Sequence, residues 1–342
     1  MELRTRKPTG IVPWPLILIE GGEKAGKSWA AAELSASPKV GTTYWVDLGE
    51  GSADEYGAVP GARYEVVEHD GSWGQILGSV EAVRDLAAKA QANGEPPVVL
   101  VIDSMTAEWD LHKDYAAGIA KERLRKKGRA VAEDAEVKIS MDLWNDATAR
   151  HKRLMTLLMT FPGIVVVTAR GKEVAAMDDS GRPVEGSKEY KVEGQKNLAF
   201  DATVWIRVSR DHPPLVVGAR SVHAGVRPGV DKPRPAPGLT LERVVFDILR
   251  CNPVEAHVRD LVQPQGEEPE VQYIGQQQMA DLMALLARTS LNSREEALPY
   301  INDCIKPARV DKTAQLTREQ ADAVITKLQA YLAQLEPKGA GE

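Results

Sequence analysis

Residues 21 to 28 read Gly-Gly-Glu-Lys-Ala-Gly-Lys-Ser. This fits G-x-x-x-x-G-K-[ST] in full, and the residue types serve one chemistry, the holding of a polyphosphate. The glycines let the backbone curl, so the N–H groups of Gly21, Gly22, Glu23, Lys24, Ala25 and Gly26 point inward at phosphate oxygens. The helix expected next adds its positive end. Lys27 neutralises the β- and γ-phosphates, and Ser28 offers its hydroxyl to Mg²⁺. ATP and Mg²⁺ are the cofactors expected.

Three further strand ends carry candidate groups. Val98-Val99-Leu100-Val101-Ile102-Asp103-Ser104 is an apolar run ending in a carboxylate, so Asp103 can complete the Mg²⁺ shell with Ser28. Hydrolysis also needs a group that orients and deprotonates water. Asp103 is followed by serine rather than a second acid, so the base must come from another strand. Asp47-Leu48-Gly49-Glu50-Gly51 places a carboxylate on a glycine-flanked turn; Glu50 is the first candidate and Asp47 the second. Val167-Thr168-Ala169-Arg170 ends another buried run. From a strand beside the phosphate strand, Thr168 can sense the γ-phosphate and Arg170 can reach it in cis. Arg220, His223 and Arg227 lie in a glycine-rich stretch and are candidates for a finger reaching a neighbouring subunit.

The elements that must position these groups alternate in period. Short apolar runs at 16–19, 43–48, 98–102, 164–167 and 203–208 read as strands, and helical spacing at 27–34 and 73–90 separates the early ones. Strand–helix–strand alternation predicts an α/β fold, a mostly parallel sheet flanked by helices. Residues 105–160 read as mostly helical, 171–197 as a long loop or hairpin, 209–238 as an irregular excursion and 241–249 as a closing helix. Residues 1–262 then form the nucleotide-binding core. Residues 263–273, polar with prolines, form a linker. Residues 274–336 form a three-helix C-terminal module, with a tail at 337–342. Ser293-x-x-Glu296 and Thr317-x-x-Gln320 open its second and third helices.

Charge and composition narrow the function classes. The chain of 342 residues carries 43 basic and 49 acidic side chains, which excludes a broad polycationic surface. A local excess stands out at 121–129, where Lys121, Arg123, Arg125, Lys126, Lys127 and Arg129 face only Glu122. Such a run can pair with nucleic-acid phosphates or be a solvated helix face paired to Glu133, Asp134 and Glu136. The two cysteines and six histidines show no disulfide or zinc spacing. The seven tryptophans read as core or boundary residues. No run is long enough to span a membrane, and a cytoplasmic protein, in a bacterial host cell, is expected.

The phosphate loop, the WVDLGE and VLVIDS strand ends and the VVVTARGKE strand end together resemble phage-encoded RecA-like P-loop ATPases. These are the Sak-type AAA ATPases linked to single-strand annealing and recombination. The resemblance covers roughly residues 11–250. It implies a RecA-like core, ATP-dependent homo-oligomerisation as a ring or filament, and engagement of single-stranded DNA in recombination or replication. By the same resemblance Lys27 and Ser28 match the phosphate loop, Asp103 the metal-side aspartate and Glu50 the water-activating glutamate. Glu50 lies three residues beyond Asp47, where the family usually steps two, so both acids stay open. The C-terminal helices resemble modules on phage recombination proteins, which implies a protein partner there. Competing expectations are a helicase-loader or packaging motor and a nucleotide-gated interaction protein.

Overall fold

The computed structural model describes residues 5–132, 134–178, 182–224, 232–261, 273–289, 291, 293–306 and 308–335. The chain divides into two compact units, residues 1–261 and 262–342.

The first unit is built on one sheet. β1 (Leu16–Gly21) is buried along its whole length. An unbroken apolar run suits a strand covered on both faces. Beside it lie β5 (Ile164–Met177) and β7 (Val204–Val208). Then come β4 (Val99–Asp103), β2 (Thr43–Asp47) and β3 (Tyr64–Val66), giving the order β3-β2-β4-β5-β1-β7, all parallel. Three antiparallel strands are added: β6 (Pro183–Glu193) on β5, then β8 (Leu215–Ala219) and β9 (Arg234–Pro235) beyond β7.

Helices cover both faces. On one face α1 (Lys27–Ser35) packs Ala31, Ala32 and Leu34 against Ile17, Ile19, Trp45, Val99, Val101 and Val166. On the other, α3 (Trp73–Ala92) and α5 (Met141–Met159) pack Ile76, Val80, Leu154 and Leu158 against Leu16, Leu18, Leu100, Ile102 and Val167. Strand side chains alternate between faces. Asp47, Asp103 and Thr168 therefore share the α1 face with Trp45, Val101 and Val166, while Glu20 shares the opposite face with Leu16 and Leu18. α4 (Met105–Lys126) leaves β4 directly, capped by Ser104, whose Oγ accepts the Ala107 N–H.

The expected strands and main helices of this unit are present, and the differences have local causes. The polar stretch after residue 170 is a hairpin, β5 running on to Met177 and β6 returning. The excursion at 209–238 is more regular than expected: Leu215–Ala219 pairs with β7. Its apolar run LVVGA is short and follows two prolines, so turn residues outweigh it in composition. The closing segment winds as a π-helix over Arg243–Ile248. α2 (Ala53–Tyr56), α6 (Leu198–Asp201) and β3 are too short for any periodicity to announce.

The second unit holds α7 (Gln276–Ala287), α8 (Arg294–Cys304) and α9 (Arg318–Leu335) around Leu282, Leu286, Ile301, Leu316, Val324 and Leu328. Ser293 and Glu296 cap α8 reciprocally. Thr317 and Gln320 do the same for α9, at 3.1 and 3.0 Å. Residues 263–272 of the expected linker and the whole tail at 337–342 lie outside the described residues.

A polar cluster that the sequence does not announce lies between α4 and α5. Glu108 is 1% exposed. Its two oxygens sit 2.9 Å from His112 Nε2 and 2.8 Å from His151 Nδ1. Burial pushes the Glu108 carboxyl up, yet the His151 hydrogen bond and the close His112 imidazole together outweigh burial and hold it below its ordinary value. A carboxyl depressed in the folded state adds stability above its unfolded pKa and loses it as pH falls through the folded value. Glu108→Ala removes the hydrogen-bond partner of buried His151 and the ion-pair partner of buried His112, at about 1–3 kcal/mol for the lost hydrogen bond. The urea midpoint of the variant should drop accordingly at pH 7, and the gap to the native chain should narrow as pH falls below about 4. A gap that stays constant with pH would show that the carboxylate charge does not support the fold.

Candidate functional site

The site forms at the carboxyl edge of the parallel strands, where chain ends from β1, β2, β4 and β5 meet. β1 turns into α1 through residues 21–26. Two left-handed residues, Lys24 at φ 52° and Gly26 at φ 92°, make the curl, and Gly26 is the N-cap of α1. The Lys27 ammonium lies back across the loop, donating to Gly21 O at 3.2 Å and Gly22 O at 2.9 Å. Burial lowers its pKa, opposed by the nearby charges of Glu50 and Asp103.

β5 is inserted between β1 and β4, which decides how the acid is held. Ser28 Oγ donates to Asp103 Oδ2 at 2.7 Å, and Thr168 Oγ1 donates to Asp103 Oδ1. Asp103 is 1% exposed. Burial pushes its carboxyl up, partly offset by the hydroxyl bonds from Thr168 and Ser28. A buried carboxylate beside a serine hydroxyl is a pair of hard oxygen donors, the set that fits Mg²⁺. Ser28 and Asp103 are the residues that would hold it.

The two candidate bases occupy different roles. Asp47 Oδ1 accepts the N–H groups of Glu50 and Gly51 at 3.2 and 3.1 Å, and Oδ2 accepts that of Ala53 at 3.0 Å. Both its oxygens hold the turn that follows β2. Glu50 instead projects into a cavity of about 540 Å³, lined also by Gly21, Gly22, Glu23, Lys24, Lys27 and Arg170. There Arg170 donates to Glu50 Oε1 at 3.0 Å.

Two groupings that sequence reasoning missed brace the site. Glu20, fully buried, accepts from Arg207 Nε at 2.6 Å, and Arg207 lies 4.0 Å over the Tyr190 ring. Burial raises the Glu20 carboxyl against the pull of Arg207. A Cβ on Gly171 would collide with Glu20 Oε2 and Tyr190, so only glycine lets the hairpin root pass here. The signal was present: a lone acid in the run LILIE demands a buried cation. The other brace is Thr106, whose hydroxyl donates to Glu193 O at 2.6 Å and accepts the Arg170 N–H at 2.9 Å.

Other candidates are not brought to this edge. The Arg220 N–H bonds Thr203 O, before the start of β7, which places Arg220 at the amino edge of the sheet, and its side chain bonds Phe200 O. His223 follows in the exposed turn beyond it, and Arg227 lies outside the described residues. In the basic run, Arg123 pairs with Asp142 at 2.7 Å and Lys126 with Glu122 at 2.7 Å. Two of its cations are thus paired, with Asp142 on α5 and with Glu122 in the run itself, whereas the acids expected as partners are Glu133, Asp134 and Glu136; Glu133 lies outside the described residues. Among the described residues no helix is long and apolar enough to cross a membrane.

If Asp47 serves the turn, Asp47→Ala should free three N–H groups and cost about 1–2 kcal/mol, a charged acceptor's worth reduced by partial exposure. Amide exchange at residues 50–53 should accelerate while that of β4 stays slow. Unchanged exchange there would remove the structural role.

No curated protein matches the chain. Among solved structures, the crystal structure of the RadB recombinase is 14% identical, covers 61% of this chain and 81% of its own, and superposes with a TM-score of 0.34. Residues 15–208, more than half of the chain and spanning every strand end described above, match the AAA domain family, and the chain belongs to that family.

Proposed function

We propose that the protein is a Mg²⁺-dependent, RecA-like ATPase that acts on single-stranded DNA as a homo-oligomeric ring or filament, in phage recombination or replication of the annealing or strand-exchange type. The observation that carries the ATPase reading is the convergence of Lys27, Ser28, Asp103, Thr168, Glu50 and Arg170 on one sheet edge. The DNA and phage parts rest on the resemblance of the strand-end motifs and on the cation excess at 121–129. The C-terminal helices would serve a protein partner.

In the proposed reaction the loop N–H groups and Lys27 seat the triphosphate. Bound Mg²⁺, held by Ser28 and Asp103, would neutralise charge on the phosphate oxygens. Glu50 takes a proton from the attacking water as its oxygen bonds the γ-phosphorus. The bond from that phosphorus to the β–γ bridging oxygen breaks, and ADP carries away the electron pair. Arg170 supplies positive charge to the γ-phosphoryl oxygens and Thr168 a hydroxyl beside them. The Glu50–Arg170 pair gives the step an order. A γ-phosphate arriving in the cavity competes for the Arg170 guanidinium, and Glu50 is released to water.

The test is steady-state ATP turnover of the native chain with and without single-stranded DNA. Stimulation by DNA is expected; a nucleotide-gated interaction protein would show none, and a packaging motor would respond to duplex. Lys27→Ala should abolish turnover, and Glu50→Gln should bind ATP but turn over about 10²-fold slower, the usual scale for losing a general base. Full turnover in folded Lys27→Ala would end the ATPase reading.

The DNA surface has its own test. Among the described residues no carboxylate pairs with Arg125, Lys127 or Arg129. Replacing all three by Ala should lower single-strand affinity and flatten the slope of log K against log salt by about 2, at roughly 0.7 per phosphate contact. An unchanged slope would move the contact to Lys172, Lys188, Lys191 and Lys196.

A further inference from the structure

The opening turn of α1 holds a residue with no role in the reaction above. α1 begins at Lys27, and its first internal bond runs from the Ala30 N–H to Gly26 O at 3.1 Å. No side chain caps it. The N–H groups of Lys27, Ser28 and Trp29 therefore face outward from the helix end, where an anion takes them. The side chains of the first two are committed, Lys27 across the loop and Ser28 to Asp103. The third, Trp29, carries a ring that is 49% exposed.

Helix geometry fixes where that ring lies. At about 100° per residue, Ser28 points with Ala32 and Ser35 toward the sheet, and Trp29 is turned to the outer flank of α1. The buried face of α1 is Ala31, Ala32, Leu34 and Ser35, so the ring has no place in the core. Exposed apolar residues are ordinary in general; the position of this one gives it meaning. In the reaction proposed above the γ end of the triphosphate is set toward Glu50, Arg170 and Asp103, which leaves the outer flank of α1 for the other end. A phosphate oxygen that took the outward Trp29 N–H would then be bonded to the very residue that carries the ring.

We propose that Trp29 is the base-stacking residue of this nucleotide site: its indole forms a platform for the adenine ring of bound ATP or ADP. The assignment rests on the nucleotide-binding reading above and names how the nucleoside half is recognised. A π-face accepts any base, so the platform gives affinity with weak selectivity among bases.

The probes are ATP, ADP and inorganic tripolyphosphate, each with Mg²⁺, measured by calorimetry on the full chain. Trp29→Leu should weaken ADP and ATP roughly tenfold, the low end of a lost base–aromatic stack, and leave tripolyphosphate unchanged. Trp29→Tyr should recover most of the loss. The native chain gives a measurement that needs no variant: ATP should bind more tightly than tripolyphosphate. Equal affinities in the native chain, or a Trp29→Leu variant that weakens both probes alike or neither, overturn the stacking role and leave nucleotide binding standing. A native chain that binds neither probe overturns both readings. A Trp29→Leu chain that changes its particle size without changing nucleotide affinity makes Trp29 a contact between copies and also overturns the proposal.

Discussion

A carboxylate taken out of water is the constraint around which the first unit is arranged. Asp103 ends β4 in the interior, and burial alone disfavours its charge. It is tolerated because hydroxyls arrive from two other strands' ends, Ser28 after β1 and Thr168 on β5. That requires β5 to lie between β1 and β4, in parallel register, so that Thr168 reaches Asp103 from one side as α1 delivers Ser28 from above. Parallel neighbours need crossover connections, and these are supplied by the long helices α3 and α5. The sheet order and helical coverage thus serve one short hydrogen-bonded chain, Ser28–Asp103–Thr168.

The two faces of the same edge divide the work. On the α1 face, where the proposed reaction would exchange contacts, Lys27 rests on its own loop carbonyls, and Arg170 rests on half-exposed Glu50. These contacts are partly solvated and cheap to trade for phosphate oxygens. On the other face fully buried Glu20 is paired with part-exposed Arg207, which lies over the Tyr190 ring, and losing Arg207 would leave a buried carboxyl without its partner. One face can therefore rearrange while the other holds the phosphate strand, β7 and the hairpin root in place. Gly171 is the point where these meet, since any side chain there would displace Glu20 or Tyr190.

What could be read from the sequence follows from how each feature is encoded. The phosphate loop and the buried strands were legible because glycine spacing and unbroken apolar runs are local signals. The different surroundings of Asp47 and Glu50 were not, because they depend on where a side chain points within one turn, and the three N–H groups that Asp47 gathers lie up to six residues ahead of it. The helical character of 105–126 was legible, but the Glu108–His112–His151 cluster joins residues 43 positions apart and has no periodic trace. Charge pairing in the basic run is half hidden for the same reason: Lys126 pairs with Glu122 one turn away, but Arg123 finds Asp142, on the next long helix.

The second unit contrasts with this in its encoding. Its second and third helices begin at reciprocal caps, Ser293 with Glu296 and Thr317 with Gln320, and its core is an apolar face from each helix joined by Val310 and Leu316 between α8 and α9. Contacts of this kind are close in sequence or periodic along it, so the residues that specify the unit are the ones that stabilise it. In the first unit the opposite holds at the carboxyl edge. Glu20, Glu108 and Asp103 are acids placed where apolar residues would be more stable, each retained with partners distant in the chain. Such departures from local consistency concentrate where a chain does chemistry. Two of the three, Asp103 and Glu20, lie on either face of the strand ends that carry the phosphate loop, and Glu108 lies on the helix that leaves directly from Asp103.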